Sequence, residues 1–214
     1  MSEFIKRVLS GVLYVIVLWT ATSYSQLSFS ILFIILGLIC LFEMWMLRKG
    51  KSKIISFIYV LTPFFIVQLF VFTDHNYQEI EFDSSPILIL FLLTWIFDSF
   101  AYIIGSRFGK NRIMPKISPK KSWEGFFGGM AFTVLSVYIL NYFFDSFSMN
   151  FLILLALIVP FTATAGDFIE SYYKREAGVK DSGNLIPGHG GFLDRMDALM
   201  ISIPVLYLLI NIFK

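Results

Sequence analysis

Charge is scarce in this chain. Only 15% of its 214 residues are Asp, Glu, Lys or Arg, against about 25% in an ordinary soluble domain. So few charges cannot cover a water-facing surface, which excludes a soluble globular fold. A single cysteine, Cys40, excludes a framework of intrachain disulfides, and its place in an apolar run reads as packing. With only two histidines beside it, no His/Cys cluster is available for zinc. The net charge of +2 is too small to argue for nucleic acid as a partner. Internal repeats, Ser/Gly-rich linkers and charged linkers are also missing, so the chain reads as one domain over 1–214.

What is abundant is apolar. Hydrophobic residues make up 57% and aromatic residues 18%, with a mean hydropathy of +0.75. A helix crosses about 30 Å of hydrocarbon in about 20 residues. Seven runs of that kind occur, at approximately 5–22, 27–47, 54–73, 86–105, 126–144, 151–173 and 194–212. They predict an all-α, polytopic membrane bundle of about seven transmembrane helices. Pro63, Pro160 and Pro204 fall inside runs and read as kinks, not terminators. The first run follows Lys6 and Arg7 as a secretory signal would, yet six more follow it, so an uncleaved first helix is expected.

Orientation follows from the basic residues, which collect in short cytoplasmic loops. With the N-terminus inside, every lysine and arginine except Lys214 falls on the inner side, while Asp74, Glu79, Glu81, Asp83 and Asp145 occupy the opposite loops. His75, in one of those outer loops, reads as inert. The two long inner segments, about 106–125 and 174–193, are the richest in Gly, Pro and polar residues, so chemistry is expected at the cytosolic face.

Ionisable side chains inside a span cost roughly 2.5–3.5 kcal/mol each at the helix centre. Asp98 lies about 10 Å from the inner end of the fourth span, Asp167 at a similar depth in the sixth, and Glu170 and Glu43 closer to that side. A shared depth predicts a hydrated cavity opening inward instead of a path through the bilayer. Asp167, Glu170, Ser171 and Lys174 recur at helical spacing and share one face. Asp194 and Asp197 open the seventh span, where carboxylates favour the positive end of the helix dipole. Asp167 and Asp194 are the expected metal ligands, because Mg²⁺ takes one or two carboxylates and completes its shell with water and phosphate oxygens.

Between those acids lies Pro187-Gly188-His189-Gly190-Gly191, whose glycines permit positive φ and expose backbone N–H groups ahead of a helix. Flanked by Lys174, Arg175, Lys180 and Arg195, it predicts a phosphate cradle. His189 is a candidate to contact phosphate or relay a proton, with capping of the turn as the alternative. The other inner segment, Ser118-Pro119-Lys120-Lys121-Ser122-Trp123-Glu124-Gly125, suits a nucleoside triphosphate, although positive-inside charge and an interfacial Trp alone would also explain it.

The stretch from Ser171 to Asp197, SYYKREAGVKDSGNLIPGHGGFLDRMD, resembles the signature of the phosphatidate cytidylyltransferases, or CDP-diacylglycerol synthases. The block from Asp98 to Gly129 resembles a second family region, with Ser99 and Ser122 where threonine is usual. Together they cover roughly the C-terminal half, and the first three spans resemble the family in hydropathy only. The resemblance implies N-terminal helices over 1–85, a catalytic region over 86–214, and transfer of a cytidylyl group from CTP to phosphatidic acid among membrane lipids. It also implies Mg²⁺ on Asp167 and Asp194, with K⁺ as an optional companion, a homodimer, and a bacterial cytoplasmic membrane. Carried over by motif position, Asp167, Asp194, Asp197, Lys174, Arg175 and His189 are expected to be catalytic. Ser118, Lys120, Lys121, Lys180, Asp181, Gly190, Gly191 and Arg195 are expected to bind the nucleotide. A transporter would show broken helices at the midplane and internal symmetry, which are not visible in the sequence. A phosphotransferase consuming a CDP-alcohol would need an Asp-Gly dipeptide, and none occurs.

Overall fold

The computed structural model describes residues 3–70, 82–144 and 146–213. Asp74, His75, Glu79, Glu81, Asp145 and Lys214 lie outside the described residues. Seven helices and one small hairpin follow in chain order: α1 Glu3–Tyr24, α2 Gln26–Leu47, α3 Ile54–Leu69, α4 Ser85–Phe108, β1 Arg112–Met114, β2 Ser118–Ser122, α5 Trp123–Phe143, α6 Met149–Glu176 and α7 Leu193–Phe213. Six of the helices are long and apolar enough to cross a membrane, and α3, with 16 residues, is shorter. The expected third span, 54–73, ends at residues outside those described. The all-α polytopic bundle is therefore as expected, with a hairpin added where only a polar loop was foreseen.

Helix boundaries follow local chemistry. Ser25 and Ser28 form a capping box that starts α2 one residue beyond the end of α1. Ser122 accepts from Gly125 N at 3.2 Å and starts α5 earlier than apolar content alone suggests. The sixth helix runs on to Glu176 because Lys174 turns back onto Glu170 within it, and it ends beside Gly178 at φ +72°. Pro63, Pro160 and Pro204 sit inside α3, α6 and α7 without ending them.

The centre of the bundle is α4, where Ile87, Ile89, Leu90, Phe91 and Leu93 are buried against neighbours. Glycines let backbones meet around it. A Cβ on Gly125 would stand 2.6 Å from the Ala101 carbonyl oxygen, and one on Gly166 would stand 2.1 Å from that of Asp197. Outward-facing apolar side chains such as Leu13, Leu38, Phe65 and Tyr138 would be a large liability in water, whereas hydrocarbon solvates them.

The basic turns gather at one end of the bundle. Arg48 pairs with Glu176, Lys51 Nζ lies 3.0 Å from the same carboxylate, and Arg175 Nε donates to Ile117 O at 3.3 Å. The turn after α2, the hairpin and the end of α6 are thereby joined into one polar cap.

Candidate functional site

Two cavities open beneath that cap. One, of about 460 Å³, is bounded by α4, the hairpin, the start of α5 and Thr164 of α6, with Arg112, Ser118, Lys120 and Lys121 on its basic wall. The other, of about 260 Å³, is lined by Tyr14, Trp95, Asp98, Asp194, Arg195 and Asp197. Asp98 borders both, so a basic chamber and an acidic one adjoin at that carboxylate.

The hairpin sets the basic wall. Its strands run antiparallel with Arg112 opposite Ser122 and Met114 opposite Ser118, and Arg112 Nη1 donates to Lys120 O at 2.8 Å. Glu124 holds the turn after α4 by accepting from Lys110 N, Asn111 N and Asn111 Nδ2. Lys121 thus reaches inward and pairs with Asp167. Burial lowers the Lys121 ammonium below its ordinary range, while the carboxylates of Asp98, Asp197 and Glu170 act in the opposite sense.

Asp194 is held on every side. Its Oδ1 takes Lys174 Nζ at 2.6 Å, and its Oδ2 accepts from Ser182 N at 2.8 Å, Gly191 N at 2.9 Å and the Ser182 hydroxyl at 3.0 Å. Lys174 also pairs with Glu170, which is fully buried, so the expected face of α6 does deliver its acid and base to one place. The two carboxylates expected to form a metal pair are each met by a lysine: Asp167 by Lys121 and Asp194 by Lys174. Asp197 lines the acidic cavity, with its Oδ1 accepting from Ala198 N at 2.8 Å.

The glycine segment is tightly folded. Ile186 N donates to Gly190 O at 2.9 Å and His189 N to Ile186 O at 3.0 Å, with Gly188 and Gly190 at φ +78° and +85°. The amides of Gly191, Phe192 and Leu193 turn onto the protein's own carboxylates, those of Asp194 and Glu43, instead of outward as a cradle would. Ser10 Oγ lies 3.0 Å from His189 Nδ1 and offers its proton to the carbonyls of Pro187 and Arg7. Arg195 Nη2 donates to His189 O at 3.2 Å. Arg175 is spent on backbone carbonyls, of Ile117 and Val179, and Lys180 and Asp181 are exposed on the loop.

The arrangement, acids and lysines at the end of a membrane bundle beside a glycine turn, can now be set beside known proteins. The sequence profile described as Cytidylyltransferase family matches residues 4–213. The chain belongs to that cytidylyltransferase family. Relatives bearing the name phosphatidate cytidylyltransferase include one from Thermotoga maritima, 42% identical over 144 residues, covering 63% of this chain and 52% of that protein. One from Staphylococcus epidermidis is 44% identical and one from Staphylococcus aureus strain COL 45% identical, each over 126 residues that cover 58% of this chain and 48% of the relative. The chain spans about half the length of the curated relatives it matches.

Within this cytidylyltransferase-family site, three participants escape a reading of the sequence. Glu43 of α2 was marked only for its depth, Ser182 not at all, and Ser10 of α1 lies in an apolar run. Glu43 carries a signal, an acid inside a span, but its partners are more than a hundred residues away. No spacing rule reaches that far.

Proposed function

We propose that this chain transfers a cytidylyl group from CTP to phosphatidate, forming CDP-diacylglycerol and pyrophosphate. The observation that carries the reading is the adjoining of a basic chamber and an acidic one at Asp98, whose charged lining residues all come from the two stretches that resemble the family. The names of the bacterial relatives support the choice of lipid.

A phosphate oxygen of phosphatidate attacks the α-phosphorus of CTP, the new P–O bond forms, and the bond to the β-phosphate oxygen breaks with pyrophosphate leaving. No enzyme nucleophile is needed, because such chemistry rests on positioning and charge stabilisation. Arg112, Lys120 and Lys121 of the basic wall neutralise the triphosphate, and Arg195 at the acidic cavity offers a bidentate grip on phosphate.

The donors present are hard carboxylates, which suits Mg²⁺, and among the described residues no cluster of three or more His, Cys, Asp or Glu encloses an ion unaided. Asp167 and Asp194 would hold it, with K⁺ as an optional companion, and when bound it would neutralise the α-phosphate and leaving-group oxygens. Lys121 and Lys174 pair with those same carboxylates.

We further infer a homodimer, as the family resemblance implies, in a bacterial cytoplasmic membrane with the basic end facing the cytosol, which the bias of Lys and Arg supports. The deciding experiment incubates purified protein with radiolabelled CTP, phosphatidate and Mg²⁺ and looks for a labelled lipid. A product that co-migrates with CDP-diacylglycerol is expected. Label transferred only to another lipid phosphate, or to none, refutes the assignment.

A further inference from the structure

The glycine loop is gripped from a helix outside both stretches that resemble the family. Glu43 stands on α2 and is only 2% exposed. Its Oε1 accepts from Phe192 N at 3.1 Å, and its Oε2 accepts from Leu193 N at 2.8 Å and from the Ser182 hydroxyl at 2.8 Å. A buried carboxylate is costly unless hydrogen-bonded, and here a hydroxyl and two amides at the start of α7 satisfy it. The positive end of that helix adds to the attraction.

The loop is also shaped around this side chain. A Cβ on Gly191 would come within 2.3 Å of Glu43 Oε2, and one on Gly183 within 2.6 Å of Oε1. Ser182 lies between Glu43 and Asp194, with its hydroxyl 2.8 Å and 3.0 Å from their carboxylates. Leu193, whose amide Glu43 holds, is the residue just before Asp194.

We propose that Glu43 is a positioning residue for cytidylyl transfer: it ties both ends of the 182–193 loop to α2 and so sets where Asp194 stands in the acidic cavity. This rests on the activity proposed above. Displacing a group by an ångström at a reacting centre costs on the order of 100-fold in rate.

The test compares wild type, E43Q, E43A, G183A and the E43A/G183A double variant. It measures kcat and KM for CTP with phosphatidate and Mg²⁺, thermal midpoints, and hydrogen exchange over residues 182–193. Gln fills the same space yet turns an NH₂ group onto one of the loop amides, so kcat is expected to fall about tenfold with KM for CTP within about threefold. E43A is expected to fall about 100-fold, and G183A to fall because its Cβ displaces the carboxylate. The double variant should be no worse than E43A, since the space is then free. Wild-type kcat in E43Q would reduce the role to packing and overturn the proposal, as would multiplying losses in the double variant. An inactive wild type would refute the proposed activity instead. Exchange then decides about the clamp: faster exchange at Phe192 and Leu193 in E43Q supports it, and unchanged exchange overturns it.

Discussion

Replacing Asp194 with Asn changes almost no volume, yet it alters every contact that the side chain makes. Four donor contacts converge on the carboxylate: Lys174 Nζ, Ser182 N, Gly191 N and the Ser182 hydroxyl. The amide offers one acceptor oxygen, so its NH₂ group must face either the ammonium or the two loop amides. Losing one charge-assisted bond costs about 1.5–3 kcal/mol. The larger cost of stranding a buried charge, about 3–5 kcal/mol, is avoided because Lys174 keeps Glu170. A domain with roughly 5–15 kcal/mol of stability survives that loss, so the variant should insert and fold. Turnover should fare far worse, because one of the two carboxylates that would hold Mg²⁺ against the reacting phosphates is gone. A thousandfold loss of kcat, about 4 kcal/mol, is expected. The assay is CDP-diacylglycerol formation from labelled CTP in detergent micelles, with thermal midpoints measured in parallel. Near-normal synthesis by Asp194→Asn would refute the placement of Asp194 at the reacting centre. Activity that returned in full on cooling would also refute it, by reducing Asp194 to a loop clamp.

Other consequences are open to measurement. Burial lowers Lys121 below its ordinary 10.5, so the folded protein releases that proton before the unfolded chain does. The Lys121 contribution to stability therefore increases as pH rises from its lowered folded value toward 10.5. Activity should fall over that same window as the ammonium is lost, and Lys121→Arg should move the alkaline limb upward in a pH–rate profile. Gly190→Ala puts a Cβ 2.7 Å from Asp194 Oδ2 at φ +85°, and should cost about 1–3 kcal/mol from the strained backbone along with most of the activity. Ser10→Ala removes the side-chain partner of His189 Nδ1, and a roughly tenfold fall in kcat is expected if His189 contacts phosphate or relays a proton. Arg48→Ala breaks the pair with Glu176, the two bonds to Ser52 O and the contact over the Tyr173 ring at the edge of the cap, and should cost about 1–3 kcal/mol of stability while leaving turnover within threefold.

Six of the spans were legible because twenty apolar residues in a row have few fates other than a bilayer, and α1, α2, α4, α5, α6 and α7 begin and end within a few residues of expectation. The face of α6 that unites Glu170 and Lys174 was legible too, since helical spacing alone brings them together. The hairpin was not. Strands of three and five residues, the second polar and proline-bearing, are too short to show alternation, and the register is held by Arg112 and by Glu124 behind it. The glycine turn was recognised as special, but the direction of its amides was not, because their acceptors lie on α2 and at the start of α7.

Composition and periodicity by themselves determined that the chain is a helical membrane protein, that its basic residues favour one side, and which acids and glycines are too costly or too permissive to be incidental. These are local properties, since hydropathy and i, i+4 spacing involve neighbours in the chain. Only the tertiary structure decided that Lys121 meets Asp167, that Asp98 borders both chambers, and that Glu43 and Ser10 reach across from α2 and α1 to hold the loop. Such pairings depend on which helices pack together and at what depth. Glycine-lined contacts such as Gly166 against Asp197 set that packing, and no property of one segment specifies it.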